Sequence, residues 1–183
     1  MQAVLNSFIL VFISEMGDKT QLLALVLTAR FKKPWPIMAG IFVATILNHA
    51  LASYAGSYFM NYFAPETLRW ILCLAFIGFG LWMLIPDKEE DLSQNNKWGP
   101  FMTTTVAFFF AEMGDKTQLA TVALGAQYAA PVAVTIGTTF AMLAADGLAV
   151  FLGHKFTDKI SMKWVHRIAS LLFIGFGIYI KLN

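Results

Sequence analysis

Six long apolar stretches dominate the chain, and short polar connections separate most of them. They cover residues 4–29, 36–59, 68–86, 101–127, 132–156 and 165–181. A helix needs about 17–25 apolar residues to cross the hydrocarbon core of a bilayer, and each stretch falls near this range. The pattern therefore predicts an all-α membrane protein with six transmembrane helices.

The second half of the chain repeats the first. A shift of 97 positions places Glu15–Leu22 on Glu112–Leu119, and both read EMGDKTQL. The same shift places FIGFG at residues 76–80 on FIGFG at residues 173–177 without a gap. A string with three charged residues, repeated in register, indicates duplication. The predicted organisation is a first three-helix repeat at 1–86, an acidic linker at 87–97 and a second repeat at 98–183.

An odd number of spans in each repeat predicts that the second repeat enters the membrane upside down. Inverted-topology repeats are typical of secondary transporters, whose substrate site lies near the midplane where the repeats meet. Cytoplasmic loops are enriched in Lys and Arg, and outside the repeated motif only Arg69 and Lys181 lie off the predicted cytoplasmic side. Both termini are therefore expected on the non-cytoplasmic side. No Lys or Arg precedes the first apolar stretch, so we expect a transmembrane span there, not a signal peptide.

Composition agrees with a membrane environment and narrows the chemistry. Charged residues make up 13% of the chain, whereas soluble domains carry about a quarter. The net charge of +2 is too small to indicate a nucleic-acid partner. The single cysteine, Cys73, excludes an intrachain disulfide and a cysteine-based metal site. We therefore expect the protein to lie in a lipid bilayer.

The repeated motif places carboxylates in the middle of the first and fourth spans. An ionisable group at that depth costs at least a few kcal/mol, so we interpret these groups as functional. Spacing i to i+3 on a helix puts the two acidic residues of each motif on one face. Carboxylate and amide oxygens suit Mg²⁺, Ca²⁺ or Mn²⁺ better than Zn²⁺ or Cu⁺. The candidate ligands are Glu15, Asp18, Gln21, Glu112, Asp115 and Gln118.

The neighbours of the carboxylates leave alternatives open. Gly17 and Gly114 weaken the helix, and an unwound stretch there would offer carbonyl ligands where the backbone lines a cavity. Facing carboxylates repel, and protons, a bound cation or Lys19 and Lys116 would neutralise them. These lysines are candidates for coupling or gating. In a purely structural alternative, each motif glutamate pairs with the lysine four residues later and joins the repeats.

Other polar residues in the apolar stretches are further candidates for coupling or gating. The 97-residue shift places His49 on Asp146 and Asn48 on an alanine, so the symmetry is broken there. An acidic side chain in an apolar span suits proton uptake, which predicts a coupling role for Asp146. Asn48 and His49 either take part in coupling or gating, or form hydrogen bonds between helices. Thr20 and Thr117 either bind the cation or donate to a backbone carbonyl.

EMGDKTQ in the first and fourth spans resembles the Glu-x-Gly-Asp-(Lys/Arg)-(Ser/Thr) signature of a family of small two-repeat membrane cation transporters. That family includes bacterial manganese exporters and the Golgi manganese/calcium transporters of eukaryotes. The resemblance covers essentially the whole chain, including the acidic linker. It implies manganese export across a bacterial inner membrane, with Glu15, Asp18, Glu112 and Asp115 as cation ligands. Calcium is the alternative substrate, and no cofactor is implied beyond the transported ion.

Together these observations predict a divalent cation transporter, a Mn²⁺ exporter that works by alternating access and takes up H⁺ or Na⁺ in exchange. A Ca²⁺/H⁺ exchanger of the same architecture is the first alternative. A lipid-pyrophosphate phosphatase would need arginines and a nucleophile beside the acids, and the motifs offer no Arg. An exporter of a basic organic solute would need a wider pocket, which a homo-oligomer could supply. A passive channel would not need the symmetric gate that inverted repeats imply.

Overall fold

The computed structural model describes residues 1–85, 98–153 and 162–182, with only the backbone at Met162. All regular secondary structure in these ranges is helical. The helices are α1 (Gln2–Glu15), α2 (Lys19–Phe31), α3 (Pro34–Phe59), α4 (Pro65–Trp82), α5 (Pro100–Glu112), α6 (Lys116–Tyr128), α7 (Pro131–Leu152) and α8 (Met162–Leu182), with a 3-10 turn at Met60–Tyr62. The predicted linker at 87–97 lies outside the described residues.

Three helical segments in the described ranges are long and apolar enough to cross a membrane. They are Pro34–Tyr62, Pro131–Leu152 and Lys163–Leu182, and Gln2–Glu15 is a shorter apolar helix. The prediction of an all-α protein with membrane-spanning helices is confirmed at this level. The number of six spans stays a prediction, because the first and fourth apolar stretches each form two shorter helices.

Both interrupted stretches break at the repeated motif. Helix α1 ends at Glu15 and α2 begins at Lys19, while α5 ends at Glu112 and α6 begins at Lys116. The glycine inside each break has a left-handed backbone, with φ of 81° at Gly17 and 79° at Gly114. Glycine adopts this conformation without a Cβ clash. The unwinding that the glycines predict is therefore present in both motifs.

Helices α3 and α7 form the centre of the molecule and hold the broken helices in place. They pack against each other, α1 packs along α7, and α5 packs along α3. Helix α6 also lies along α3, and α2 contacts α7. This arrangement buries the last residues of α1 and α5, Glu15 and Glu112, whereas Met113 and Gly114 in the second break are exposed.

Helices α4 and α8 form a separate antiparallel pair at the side of this centre. Phe76 and Phe173, the first residues of the two FIGFG strings, are fully buried between them, with ring centroids 6.0 Å apart. At one end of the pair, Glu66 accepts a hydrogen bond from Lys181. This hydrogen bond, together with the positive charge of Lys181, holds the pKa of the Glu66 carboxyl below its usual value.

Only the second glycine of each FIGFG string lies in the contact between α4 and α8. A Cβ on Gly80 would lie 2.7 Å from Ile174 Cγ1 and 2.8 Å from the Ser170 carbonyl oxygen. A Cβ on Gly177 would lie 2.9 Å from the Cys73 carbonyl oxygen. At Gly78, by contrast, an added Cβ would meet no atom within 4 Å.

We therefore expect Gly80→Ala to destabilise the protein, because the added methyl group separates α4 from α8. Overpacking of this kind costs about 1–3 kcal/mol. The control, Gly78→Ala in the same string, gains the same helix propensity without the clash and should unfold at or above the wild-type temperature. Thermal unfolding in detergent measures both variants. Equal unfolding temperatures for the two would contradict this account of the packing.

The helix break makes a second, separate prediction at Gly114. No atom lies within 4 Å of a Cβ placed there, so any cost of Gly114→Ala comes from the positive φ alone. A non-glycine residue in the left-handed region costs about 1–2 kcal/mol, and Asn tolerates it better. Gly114→Ala should lower the unfolding temperature in detergent more than Gly114→Asn does. If both variants unfold like wild type, the break is not fixed by this glycine.

Candidate cation site

Three buried carboxylates from the two motifs meet at the helix breaks. Glu15, Glu112 and Asp115 each offer one oxygen, and these oxygens lie within 4.8 Å of one another. Both glutamates have an exposed fraction of 0%, and that of Asp115 is 7%. Glu15 comes from the first motif and the other two from the second, so the group joins the two halves of the chain. We call these three residues the carboxylate cluster.

Each glutamate in the cluster has one oxygen with a partner and one without. The Thr20 hydroxyl donates to Glu15 Oε2 at 3.0 Å, and the Thr117 hydroxyl lies 3.4 Å from Glu112 Oε2. In the described part of the chain, Oε1 of both glutamates is buried and has no hydrogen-bond partner. Buried polar atoms normally have a partner. Two buried carboxylate oxygens without a hydrogen-bond partner therefore indicate a place where a cation or a proton binds.

The acidic residue that follows the glycine in each motif occupies the N-cap position of the next helix, without a side-chain capping hydrogen bond. The backbone N–H of Asp18 donates to the Glu15 carbonyl at 3.1 Å, and that of Asp115 donates to the Glu112 carbonyl at 3.2 Å. Asp18 is buried, with an exposed fraction of 6%, but it does not belong to the three-carboxylate cluster. Of the four predicted acidic ligands, the structure thus brings together three.

The two motif lysines have different partners. Lys19 Nζ lies 3.3 Å from Asp115 Oδ1, so the lysine of the first motif pairs with a carboxylate of the second motif. Lys116 Nζ donates to the Ile85 carbonyl at 2.9 Å and lies 5.8 Å from the Trp82 ring centroid. The alternative of glutamate–lysine pairs at i, i+4 assumes a continuous helix. Both motifs break at this point, so that geometry does not hold.

The motif glutamines stabilise the helix breaks. The backbone N–H of Gly17 donates to Gln21 Oε1 at 3.0 Å, and that of Gly114 donates to Gln118 Oε1 at 2.6 Å. Gln21 Nε2 donates to the Ala145 carbonyl of α7 at 2.7 Å. Each amide oxygen keeps a second lone pair, so the predicted ligand role is compatible with these bonds and stays a prediction.

The other predicted polar residues lie on the central helices beside the cluster. Asn48 of α3 donates to the Phe109 carbonyl at 3.0 Å, and its oxygen lies 3.4 Å from Gln118 Nε2. His49 and Asp146 both have an exposed fraction of 0%. Within the described residues, none of the polar side-chain atoms of His49 or Asp146 has a hydrogen-bond partner.

Two partners of the site were not predicted from the sequence. Both are backbone carbonyls: that of Ala145, which accepts from Gln21, and that of Ile85, which accepts from Lys116. A backbone acceptor leaves no residue-type signal, so no motif could identify it. The only sequence sign at Ala145 is its alignment with Asn48 in the repeat.

Known proteins similar to this chain all point to one family. The sequence profile described as "Divalent cation/proton antiporter GDT1" matches residues 3–91 and 100–183. The chain is 43% identical over 175 residues to the "Putative manganese exporter" of Vibrio cholerae, covering 95% of this chain and 88% of that protein. It is 30% identical over 217 residues to GDT1-like protein 5 of Arabidopsis thaliana, covering 97% and 94% respectively. No solved structure matches the chain.

These matches bear on the function classes that the sequence left open. The profile covers nearly the whole chain, on both sides of the predicted linker, and its description names a transporter. The prediction of a transporter rather than an enzyme is therefore confirmed. The chain belongs to the GDT1 family of divalent cation/proton antiporters.

Proposed function

We propose that this protein exports Mn²⁺ and that the transported ion binds at the carboxylate cluster. The observation that carries the proposal is the meeting of Glu15, Glu112 and Asp115, buried and contributed by both motifs. Three carboxylates supply hard oxygen ligands, which Mn²⁺ accepts. The name of the Vibrio cholerae relative supports manganese over calcium. Asp18 is the fourth proposed ligand and would join the cluster through a change in the first break.

Exchange for protons follows from the charge of the site. When the cation leaves, three buried carboxylates would repel one another unless something replaces its charge. Lys19 neutralises Asp115, and protons would neutralise the glutamates. Asp146 is the proposed coupling residue, because it is buried in the central helix α7 and lacks a hydrogen-bond partner among the described residues. The family description of a cation/proton antiporter supports H⁺ over Na⁺.

The proposed setting is the inner membrane of a bacterium, crossed six times by two inverted repeats at 1–86 and 98–183. Each broken pair, α1–α2 and α5–α6, would make one crossing with its break near the midplane. Broken helices are tolerated in a membrane where the freed backbone lines a cavity. Both termini would face away from the cytoplasm, since the basic loops lie on the other side.

Alternating access is supported by unequal packing of the two halves. A Cβ on Gly56 of α3 would lie 1.9 Å from the Val122 carbonyl oxygen of α6, and one on Gly125 would lie 2.3 Å from the Ser53 carbonyl oxygen. The backbones of α3 and α6 are thus in direct contact. Gly153 follows the last residue of α7, and the 97-residue shift aligns it with Gly56. Among the described residues, a Cβ on Gly153 would meet nothing within 4 Å.

We infer from this difference which half of the protein is closed in this conformation. In the proposed orientation, the contact of α3 with α6 closes the non-cytoplasmic half. The equivalent contact of α7 with α2 lacks a glycine on α2, where Thr28 aligns with Gly125. The conformation therefore corresponds to a transporter closed to the outside. Export would require α6 to separate from α3 and α2 to approach α7.

Loss of one cluster carboxylate should abolish manganese export. We expect Glu15→Gln and Glu112→Gln each to reduce Mn²⁺ efflux by about 10- to 100-fold, as for loss of a metal-site partner. The assay is Mn²⁺ resistance and elemental content (Mn, Ca, Fe, Zn, Mg) of cells that lack their own exporter. Glu66→Gln is the control, because Glu66 is an exposed carboxyl that pairs with Lys181 away from the cluster.

The same assay separates the alternatives. If calcium content changes and manganese content does not, the proposed binding site stands, but the transported ion is Ca²⁺ and not Mn²⁺. If both glutamine variants export Mn²⁺ like wild type, the cluster is not the transport site.

Gly125→Ala should impair transport without removing the site. The added methyl group would force α6 away from α3, and overpacking of about 1–3 kcal/mol changes the balance of two conformations by about 5- to 150-fold. We expect Mn²⁺ efflux to fall while purified protein still binds Mn²⁺. Gly78→Ala is the matched control, since its Cβ meets no atom within 4 Å. Wild-type efflux in Gly125→Ala would contradict the proposed gate.

A further inference from the structure

A polar cavity of about 350 Å³ lies at the end of the molecule where α1 and α4 begin and α6 and α8 end. Its walls are rich in side chains that can donate hydrogen bonds, and none of the described residues that line it carries a side-chain carboxylate. One rim contact is fixed, because Asn6 Nδ2 donates to the Tyr128 hydroxyl at 2.6 Å. The polar lining residues are Gln2, Asn6, Arg69, Gln127, Tyr128 and Tyr179.

An apolar groove of about 360 Å³ continues from this cavity between α1 and α8. The two spaces share Asn6 and Tyr179. The groove reaches Leu171, eight residues before Tyr179 on α8, which corresponds to about 12 Å at 1.5 Å per residue. Gly175 forms part of its wall, and a Cβ there would meet nothing within 4 Å. A slender apolar chain would therefore fit along α8.

The charge of the cavity selects an anion. Arg69 supplies a guanidinium group, which binds phosphate oxygens in a two-pronged geometry. Lys181, another positive group at this end, pairs with Glu66. It is the main cause of the lowered pKa of the Glu66 carboxyl, and a smaller contribution comes from Arg69. Amide and phenol groups around Arg69 offer further donors to phosphate oxygens.

We propose that the cavity and groove together bind one anionic phospholipid. Its phosphodiester lies against Arg69 and the donors at the cavity mouth, and one acyl chain lies in the groove beside Gly175. A free phosphate ion would fill the cavity but leave the groove empty, which is why the site favours a lipid. This inference is independent of the transported ion and of the carboxylate cluster.

The position of the cavity implies that a bound lipid affects the stability of the protein. The cavity contacts α1 through Asn6 and α6 through Gln127 and Tyr128. Helix α1 ends at the first break and α6 begins after the second break, so both helices adjoin the carboxylate cluster. A lipid bound there ties the outer ends of α1 and α6 to α4 and α8. Occupancy should therefore raise the unfolding temperature of the whole protein.

The test uses the purified full-length chain in detergent, with lipid binding followed by native mass spectrometry and by thermal unfolding. Phosphatidylglycerol, phosphatidylcholine and inorganic phosphate are added separately. We expect wild type to prefer phosphatidylglycerol over phosphatidylcholine by about tenfold, which corresponds to about 1.4 kcal/mol. Both lipids carry the phosphodiester, but only phosphatidylcholine brings a quaternary ammonium group, which Arg69 repels. Inorganic phosphate should leave the unfolding temperature unchanged.

Two variants test the two parts of the site. Arg69→Gln should lose the preference for phosphatidylglycerol, while Arg167→Gln, a basic residue in the first turns of α8 and outside the cavity, should keep it. Gly175→Leu should fill the groove and reduce binding of both lipids. The control Gly78→Leu is at the equivalent position of α4, where a Cβ likewise meets nothing within 4 Å, and should bind lipid normally.

The proposal is overturned by equal binding of the two lipids to wild type, or by an unchanged preference in Arg69→Gln. Stabilisation by inorganic phosphate alone would assign the cavity to a free anion and would also overturn it. If Gly175→Leu does not fold, the Arg69 comparison still decides the question. None of these results depends on whether the protein moves manganese.

Discussion

The cost of burying several carboxylates in one apolar interior governs the rest of this structure. Glu15, Glu112 and Asp115 lie within 4.8 Å of one another, at a depth where each charge is expensive and each repels the others. Lys19 pairs with Asp115. The remaining negative charge makes the site stable only when a cation or protons are present. Exchange of one for the other is then a property of the site itself.

Helix breaks make this cluster possible. In a continuous helix, Glu15 and Asp18 would occupy one face, and the side chains of the next turn would crowd the approach of the second motif. The left-handed glycines end α1 and α5 at the glutamates, so both helix ends reach the same buried point. Gln21 and Gln118 then satisfy the backbone N–H groups of these glycines. The motif thus encodes both the ligands and the bend that presents them.

Much of this could be predicted from the sequence, because the signals were local. Long apolar stretches predict helices, and the doubled motif identifies the acidic residues and the glycine breaks. The exclusion of Asp18 from the cluster could not be predicted, since it depends on the relative positions of two half-helices. The different partners of Lys19 and Lys116 could not be predicted either, because they arise from the unequal packing of the two halves. A repeat in sequence does not reveal which half is closed.

The central claim is that both motifs build one cation site. The most direct test is the stoichiometry of Mn²⁺ binding to purified protein, by equilibrium dialysis with elemental analysis, for wild type, Glu15→Gln and Glu112→Gln. The account predicts one tightly bound Mn²⁺ per chain and its loss in either variant, although the two residues belong to different motifs. Two ions per chain, with each variant losing only one of them, would contradict the shared site, as would unchanged binding in both variants.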